Sequence, residues 1–260
     1  MDSFVSLVSM SRLALVTGTS AGLGRETARA LLAKGWSVMG VARRPALIDH
    51  DAYRHELLDL GDLDAVEVFT SRLVGDPSVA KAKRLGLVNN AAQLGPMRPL
   101  TRLRAADLVR AHYVNTVAPL LLSGAMARLA GRRPLRVVDV SSGAAVRARA
   151  GRTAYSSTKA ALRLGGMALA AEAEAEVGGT ARDLAIVSYE PNMVDTEMQA
   201  ENRAASPDDL PDVRMFVALK AEGRLIPPEQ PAAEIAGLLD RDDLPFFSER
   251  RFEPLAPRGA

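Results

Sequence analysis

Short apolar segments alternate with helical segments along most of this sequence, and no other feature constrains the fold as strongly. Candidate strands lie at residues 13–16, 37–41, 53–58, 85–88, 136–140 and 184–189. Candidate helices lie at residues 25–34, 62–73, 104–130, 155–177, 212–222 and 231–239. Continuous apolar runs are typical of strands that are buried on both faces of a parallel sheet. The alternation therefore predicts an α/β fold in which a doubly wound parallel β-sheet is flanked by helices.

The chain is predicted to form a single domain. Its 260 residues contain no repeats or linkers, and a domain of this length buries a sufficient core without disulfides. Residues 1–11 are interpreted as an N-terminal extension and residues 12–260 as the domain. Residues 197–228 contain four prolines and are interpreted as a substrate-binding lid.

Cysteine and histidine limit the kinds of site that the chain can build. Because the sequence contains no cysteine, disulfides, thiolate nucleophiles and cysteine-ligated zinc are excluded. His50, His55 and His112 lack the spacing of metal ligands, so no metal site is predicted.

Charge and hydropathy argue against a nucleic-acid-binding protein and against a membrane span. Lys and Arg total 33 against 31 Asp and Glu, a net charge of +2. The densest basic residues lack neighbouring aromatic residues and are interpreted as a solvated rim: Arg132, Arg133, Arg136, Arg147, Arg149 and Arg152. No apolar run has the length of a membrane span, and the N-terminus lacks the basic start of a signal peptide. We therefore expect a cytoplasmic protein that binds neither nucleic acid nor membranes.

A glycine-containing turn, residues 17–24, separates the first strand from the first helix. Gly18, Gly22 and Gly24 let backbone N–H groups approach a pyrophosphate at the positive end of the helix. The alternative is a turn that only packs the strand tightly against the helix. The position between a strand and a helix favours a dinucleotide site, and hence a Rossmann-type sheet.

Arg43 and Arg44 follow the second strand, where a dinucleotide's adenosine ribose is expected to lie. A carboxylate at this place would bind the ribose hydroxyls of NAD, and residues 41–48 contain none. Guanidinium groups instead match the 2′-phosphate of NADP. The alternative is a basic surface loop; the predicted cofactor is NADP.

Tyr155 and Lys159 lie one helical turn apart, so a phenol and an ammonium group can face one site. A nearby cation favours the ionised phenol, which makes Tyr155 a candidate acid toward a carbonyl oxygen. Ser142 lies at the carboxyl end of a predicted strand, where α/β sheets bind their ligands. The alternative is a pair of surface residues with this spacing.

Taken in order along residues 12–200, these motifs resemble those of the short-chain dehydrogenase/reductase family. The family's glycine motif matches Thr17, Gly18, Gly22 and Gly24. Its NNAG motif appears with the last glycine replaced, as Asn89-Asn90-Ala91-Ala92. Its PGxVxT motif appears with an asparagine for the glycine, at residues 191–196. Its catalytic set falls on Ser142, Tyr155, Lys159 and the helix-interrupting Asn115.

The resemblance implies a role for each of these residues. Ser142 would polarise the substrate carbonyl, Tyr155 would donate the proton, and Lys159 would lower the pKa of that phenol and hold the nicotinamide ribose. Asn115 would position a water that relays protons to Lys159. The implied cofactor contacts are Gly18, Thr19, Ser20, Gly22, Leu23, Gly24, Arg43, Arg44, Asp59, Leu60, Asn90, Ala91, Tyr155, Lys159, Pro191, Asn192, Val194 and Thr196.

Residues 188–199 and 219–225 resemble the sepiapterin reductase and benzil reductase branch of the family. Sepiapterin reductases anchor the pterin with an aspartate near the C-terminus; that place falls near Arg250-Arg251, with no carboxylate except Glu249 and Glu253. A diketone or another activated carbonyl is therefore the expected substrate. The predicted activity is therefore NADPH-dependent carbonyl reduction. The alternatives are a non-catalytic dinucleotide-binding regulator and an NAD-linked alcohol dehydrogenase.

The resemblance also implies a homodimer or homotetramer. The helices at residues 104–130 and 155–177 form the subunit interface in most relatives. Small residues of the second helix would permit close helix contact: Ala160, Ala161, Gly165, Gly166, Ala168 and Ala170. The alternative is that these small residues pack on the subunit's own sheet.

Overall fold

The computed structural model describes residues 12–176 and 182–254. The strands of these two segments are β1 (Arg12–Thr17), β2 (Ser37–Ala42), β3 (Tyr53–Leu57), β4 (Arg84–Asn89), β5 (Leu135–Val140), β6 (Leu184–Glu190) and β7 (Phe247–Arg251). The helices are α1 (Gly22–Ala33), α2 (Leu63–Leu73), α3 (Pro77–Lys81), α4 (Ala105–His112), α5 (Ala118–Ala130), α6 (Thr153–Ala175), α7 (Glu197–Arg203), α8 (Val213–Ala221) and α9 (Glu229–Leu238).

All strand pairs of the sheet are parallel, and the strands are arranged in the order β3-β2-β1-β4-β5-β6-β7. The chain runs from the centre to one edge, returns to place β4 beside β1, and then runs to the other edge. This is the predicted doubly wound Rossmann-type sheet, and the prediction is confirmed. The order reverses between β1 and β4, and ligands of such sheets bind in the crevice beyond the carboxyl ends of those strands.

Helices cover both faces of the sheet, which explains why its inner strands are apolar. Helices α1 and α9 pack together on one face, around the fully buried Trp36. Helices α2, α5 and α6 cover the other face. Every residue of β5 is buried, as expected for a central strand with helices on both sides. None of the helices in the described segments is long and apolar enough to cross a membrane.

Three elements were not predicted from the sequence. Strand β7 lies in the segment after Asp242 that had no interpretable pattern, and its polar sequence FSERR fits a half-exposed edge strand. Helix α3 has only five residues, and α7 lies inside the segment interpreted as a lid. The predicted N-terminal extension and residue 177 of the predicted last long helix lie outside the described residues.

The predicted helix at residues 104–130 is interrupted. A π-helical turn, Tyr113–Val117, separates α4 from α5 and contains Asn115. Single π turns inside α-helices occur frequently at functional sites, because they redirect side chains from the regular helical spacing. Asn115, the residue that the resemblance matches to the family's helix-interrupting asparagine, thus lies where the regular helix is interrupted.

The interpretation of the arginine clusters as a solvated rim is wrong for three residues. Arg136 is 2% exposed and bonds to Asp183. Arg133 donates to backbone oxygens of Val79 and Ala82, among others. Arg152 is 6% exposed. A guanidinium carries several donors, so it can be buried where carbonyl and carboxylate oxygens surround it.

The small residues of α6 divide between two environments. A Cβ at Gly165 would lie 2.6 Å from Leu120 of α5, and Gly166 and Ala170 are buried against the subunit's own sheet. Ala160 and Ala168 are exposed. Gly165, Gly166 and Ala170 thus agree with the alternative, in which the small residues of α6 allow close packing within one subunit.

Candidate active site

A cavity of about 590 Å³ opens at the carboxyl ends of the central strands, where the order of the sheet reverses. Most of the predicted site residues border it: Gly18, Ser20, Gly22, Leu23, Arg43, Arg44, Asp59, Leu60, Asn90, Ala91, Ser142, Tyr155, Lys159, Pro191, Asn192, Val194 and Thr196. Thr19, Gly24 and Asn115 do not border the cavity and lie behind its wall. The structure therefore brings together residues from loops that are far apart in the sequence.

The glycine turn after β1 leaves room for a ligand at the start of α1. Gly18 and Gly22 have φ angles of +77° and +55°, a region that favours glycine. A Cβ on Gly24 would collide with the carbonyl group of Gly18. Among residues 12–176 and 182–254, no side chain caps the first N–H groups of α1, so these donors face the turn. The turn thus fits the pyrophosphate of a dinucleotide.

Hydrogen bonds from the loop after β4 fix the position of this turn. The side chain of Asn90 donates to the carbonyl oxygen of Thr17 at 2.9 Å, and the backbone N–H groups of Asn90 and Ala91 donate to the Thr17 hydroxyl. On the other side, the Thr19 hydroxyl accepts from Tyr53 at 3.1 Å. Thr19 therefore supports the turn from behind.

Arg43 and Arg44 follow β2 at the rim of the cavity, as predicted. Nη2 of Arg44 lies 3.0 Å from Oε2 of Glu197, the first residue of α7, and both side chains are about two-thirds exposed. Sequence reasoning missed Glu197 as part of this site because it lies 153 residues away. Asp59 and Leu60 border the same end, and Asp59 accepts from the backbone of Gly61 at 2.9 Å.

Asn192 is the non-glycine residue with a positive φ in the described chain, at +66°. It occupies the place of the family's glycine in the loop after β6, and asparagine is among the residues that tolerate this conformation. The replacement therefore preserves the loop that carries Pro191, Val194 and Thr196 past the cavity.

Tyr155 lies on α6 with its phenol among the residues that face the cavity, beside Ser142. Burial raises the pKa of the phenol, while the Ser142 hydroxyl and the Arg152 guanidinium each lower it. Burial outweighs both, so the pKa of Tyr155 lies above its usual value. The phenol therefore keeps its proton near neutral pH, as a proton donor must.

Lys159 follows one turn later, with its ammonium group 5.8 Å from the centre of the Tyr155 ring. Its Nζ donates to the carbonyl oxygen of Val140 at 2.7 Å. Burial lowers the pKa of Lys159 to about 8, against the opposing effect of Asp139. Lys159 thus lies near the phenol, but it is not among the groups that shift the pKa of Tyr155, so the lowering expected from the resemblance is not found.

Asp139 is a buried carboxyl group that the sequence reasoning missed. It lies on β5 and accepts from Nδ2 of Asn89 at 2.8 Å. Burial raises the pKa of Asp139 to about 6, and the neighbouring Asn89 and Lys159 oppose this rise. An acid within the otherwise apolar centre of β5 was the signal that could have identified it.

Asn115 lies in the π turn and is fully buried. Its Oδ1 accepts from the backbone N–H of Gln93 at 2.9 Å. Its Nδ2 donates to the carbonyl oxygen of Gln93 at 2.8 Å and to the hydroxyl of Thr158 at 3.0 Å. Through these hydrogen bonds the Asn115 side chain connects the loop after β4 to α6.

The far end of the cavity is formed by the segment that follows Thr196. Met198 and Gln199 of α7 and Phe216 of α8 border the cavity. Helices α7 and α8 pack against each other.

Comparison with known proteins finds the family described as short chain dehydrogenase over residues 12–207. A benzil reductase ((S)-benzoin forming) from Bacillus cereus is 30% identical over 244 residues, which cover 90% of this chain and 96% of the relative. The match thus extends well beyond the glycine turn.

Solved structures give the same picture for the fold. A short-chain dehydrogenase/reductase from Saccharomyces cerevisiae has a TM-score of 0.78 at 24% identity, covering 92% of this chain and 95% of that chain. A putative NAD(P)-dependent gluconate 5-dehydrogenase from Beutenbergia cavernae, solved with bound NADP, has a TM-score of 0.73 at 21% identity and covers 94% and 96%. These similarities extend over nearly the whole chain.

Proposed function

This chain belongs to the short-chain dehydrogenase family of oxidoreductases, and on that premise we propose that it is an NADPH-dependent carbonyl reductase acting on ketones or diketones. The observation that carries the proposal is the placement of Ser142, Tyr155 and Lys159 at one cavity. The benzil reductase relative supports a carbonyl substrate of this class.

The residues of the nucleotide end fit a nicotinamide dinucleotide. The glycine turn offers uncapped N–H groups at the start of α1. A Cβ at Gly18 or Gly24 would collide with neighbouring protein atoms, so these glycines are needed for the turn to keep this shape. When bound there, NADPH supplies the hydride that the carbonyl carbon accepts. Arg43 and Arg44 support NADP over NAD, because they lie where the ribose is expected and offer forked donors to a 2′-phosphate.

The chain's own residues supply the proton and the orientation. The Ser142 hydroxyl donates a hydrogen bond to the substrate carbonyl oxygen, which increases the positive charge on the carbon. Tyr155 transfers its proton to that oxygen, and the nearby Lys159 cation stabilises the phenolate that remains. Asn115 lies behind the cavity wall, and we propose that it positions a proton-relaying water near Lys159, as the family resemblance implies.

The segment at residues 197–228 is proposed to act as a lid over the substrate. It places Met198 and Phe216 at the cavity wall, and methionine adapts to ligands of varied shape. Amide hydrogen exchange should show more protection of this segment when NADPH and substrate are both bound. Equal protection with and without the ligands would contradict a lid.

The exposed surface of α4 and α6 supports a homodimer or homotetramer. Val109 and Leu164 are exposed apolar residues of these helices, and Tyr113 adjoins them. Sedimentation equilibrium of the wild type and of Leu164→Asp distinguishes the states. We expect an oligomer for the wild type and a shift toward monomer for the variant.

The proposed function is tested by incubating the purified protein with NADPH and either benzil or diacetyl. The expected result is consumption of NADPH with formation of an equal amount of the hydroxyketone. Binding of NADPH without turnover of any carbonyl in a broad panel would instead indicate a dinucleotide-binding regulator. Faster oxidation of an alcohol with NAD would indicate the alcohol dehydrogenase alternative.

A further inference from the structure

Arg152 places a buried positive charge at the substrate end of the cavity. It is the residue before α6, its side chain borders the cavity, and it is 6% exposed. Tyr155 lies three residues later, so the two side chains are neighbours on the first turn of the helix. Arg152 was interpreted from the sequence as part of a solvated rim, so this position could not be predicted.

The guanidinium of Arg152 is incompletely paired. Its Nη2 donates to Oδ1 of Asn202 on α7 at 2.6 Å, and it lies 5.0 Å from the centre of the Phe216 ring. Its Nε is buried and has no hydrogen-bond partner. Within the described chain, no carboxylate lies within ion-pair distance of it. Burial lowers the pKa of Arg152 and the Arg149 charge adds to this, while Tyr155 and Asp212, the acid paired with Arg149, oppose the shift without cancelling it.

The other cations near this end of the cavity differ from Arg152. Arg149 is paired with Asp212 at 2.7 Å, and Arg147 is paired with Glu190 at 3.1 Å. Both of these arginines are more exposed than Arg152. Glu201 also borders the cavity, but its side chain is exposed, where solvent and salt screen its charge. Lys159 is also a buried cation of this cavity, but its Nζ donates to the carbonyl oxygen of Val140, and Arg251 at the cavity is exposed. Within the described chain, Arg152 is therefore the buried cation of the cavity that bonds to neither a backbone oxygen nor a carboxylate.

We propose that Arg152 binds a carboxylate of the substrate, so that the preferred substrates are oxo acids whose carboxylate lies within a few bonds of the reduced carbonyl. The proposal rests on the proposed reductase function and narrows its substrate class. A planar guanidinium matches a carboxylate with two parallel hydrogen bonds, which also orients the neighbouring carbonyl. The reaction itself is unchanged: the carbonyl carbon accepts a hydride and the oxygen accepts the proton of Tyr155.

The competing explanation is a fastening role, in which Arg152 only holds α7 and α8 in place at the cavity wall. It would do so through its hydrogen bond to Asn202 and its contact with Phe216. A fastening role affects neutral and acidic substrates alike, because it acts on the shape of the wall. An anion-binding role affects only the acids. The ratio of kcat/KM for an acid to that for its methyl ester separates the two.

The experiment measures this ratio for phenylglyoxylate and 4-oxo-4-phenylbutanoate, each against its methyl ester, with NADPH as the reductant. In Arg152→Gln the ratio should fall about 10- to 100-fold for at least one of the acids, since a charge-assisted hydrogen bond is lost. The matched control is Arg149→Gln, which should leave the ratios within about threefold because Arg149 already has a carboxylate partner. Equal losses for acid and ester in Arg152→Gln would overturn the proposal.

Asn202→Ala tests the fastening role directly, since it removes the hydrogen bond of Arg152 but keeps its charge. The acid-to-ester ratio should be preserved in this variant. A fall equal to that of Arg152→Gln would contradict anion binding. The dissociation constant of NADPH should also be unchanged in Arg152→Gln; a large increase would assign Arg152 to the cofactor instead.

A measurement on the wild type covers the case in which Arg152→Gln fails to fold. Benzoate should inhibit reduction of a neutral diketone competitively, with an inhibition constant about tenfold or more below that of benzamide. Equal inhibition by the two would overturn the carboxylate site while leaving the reductase function intact. No reduction of either a diketone or an acid would instead refute the proposed function.

Discussion

The guanidinium of Arg44 and the carboxylate of Glu197 lie 3.0 Å apart and join the loop after β2 to the first residue of α7. The pair connects the end of the cavity assigned to the adenosine ribose with the start of the proposed lid. A 2′-phosphate at this place would compete with Glu197 for Arg44. Both side chains are largely exposed, so the pair itself contributes little to stability.

We predict that the wild type prefers NADPH to NADH by roughly 10- to 10⁴-fold in kcat/KM. This range corresponds to one or two charge-assisted hydrogen bonds to the 2′-phosphate. Because Arg44 is exposed, the value should lie toward the lower end of the range. Glu197→Gln should increase the preference several-fold, because the competing carboxylate is removed. Glu201→Gln is the matched control, since Glu201 is an exposed acid on the same helix. A paired change of Ala42→Asp with Arg43→Ala should shift the preference toward NADH. A wild type that prefers NADH would show that the arginines only face solvent.

Gly18→Ala tests the glycine turn independently of catalysis. The added Cβ would lie 2.7 Å from the side chain of Asn90, at a φ of +77° that disfavours alanine. The dissociation constant of NADPH, measured by fluorescence titration, should rise at least tenfold. Gly75→Ala is the control, because Gly75 is exposed and its Cβ would meet nothing within 4 Å. Equal affinities for the two variants would refute a role of the turn in binding.

The buried Asp139 predicts a specific dependence of stability on pH. Because burial raises the pKa of Asp139 to about 6, the folded protein keeps a proton that the unfolded chain has already lost. The stabilisation of the folded state by this proton is fully present below about pH 4 and is lost as the pH rises through about 6. The carboxyl group therefore makes the protein less stable near neutral pH than in mild acid, other groups being equal.

Asp139→Asn removes this titration and keeps a side chain of the same shape. Its free energy of unfolding in urea, relative to the wild type, should increase between about pH 4.5 and pH 7 by about 2 kcal/mol. Glu67→Gln, a change at an exposed acid of α2, serves as the control and should show no such trend. A constant difference between wild type and Asp139→Asn over this range would contradict the burial argument.

The sheet and the glycine turn could be predicted from the sequence because they depend on local patterns. Apolar runs such as residues 13–16 indicate buried strands from their own composition. The glycines of the first turn likewise indicate a tight turn from their own spacing. Strand β7 could not be predicted, since a polar edge strand of five residues lacks an apolar pattern and forms only by pairing with β6.

The residues missed at the site depend on distant contacts. Glu197 meets Arg44 only after the chain has folded, and Arg152 is buried only because α7 and α8 cover it through Asn202 and Phe216. The charge of Arg152 suggested that its side chain is exposed to solvent, but the tertiary structure buries it. Partners that are far apart in sequence leave no pattern in a single chain.

The proton-donating phenol is the central element of the account, and replacing Tyr155 by phenylalanine tests it most directly. The kcat for NADPH-dependent reduction of benzil should fall about 10²- to 10⁴-fold, while the dissociation constant of NADPH stays within about threefold of the wild-type value. Tyr113→Phe is the control at an exposed tyrosine of the π turn and should retain full activity. A Tyr155→Phe variant that keeps more than about a tenth of the wild-type kcat would contradict the assignment of Tyr155 as the proton donor.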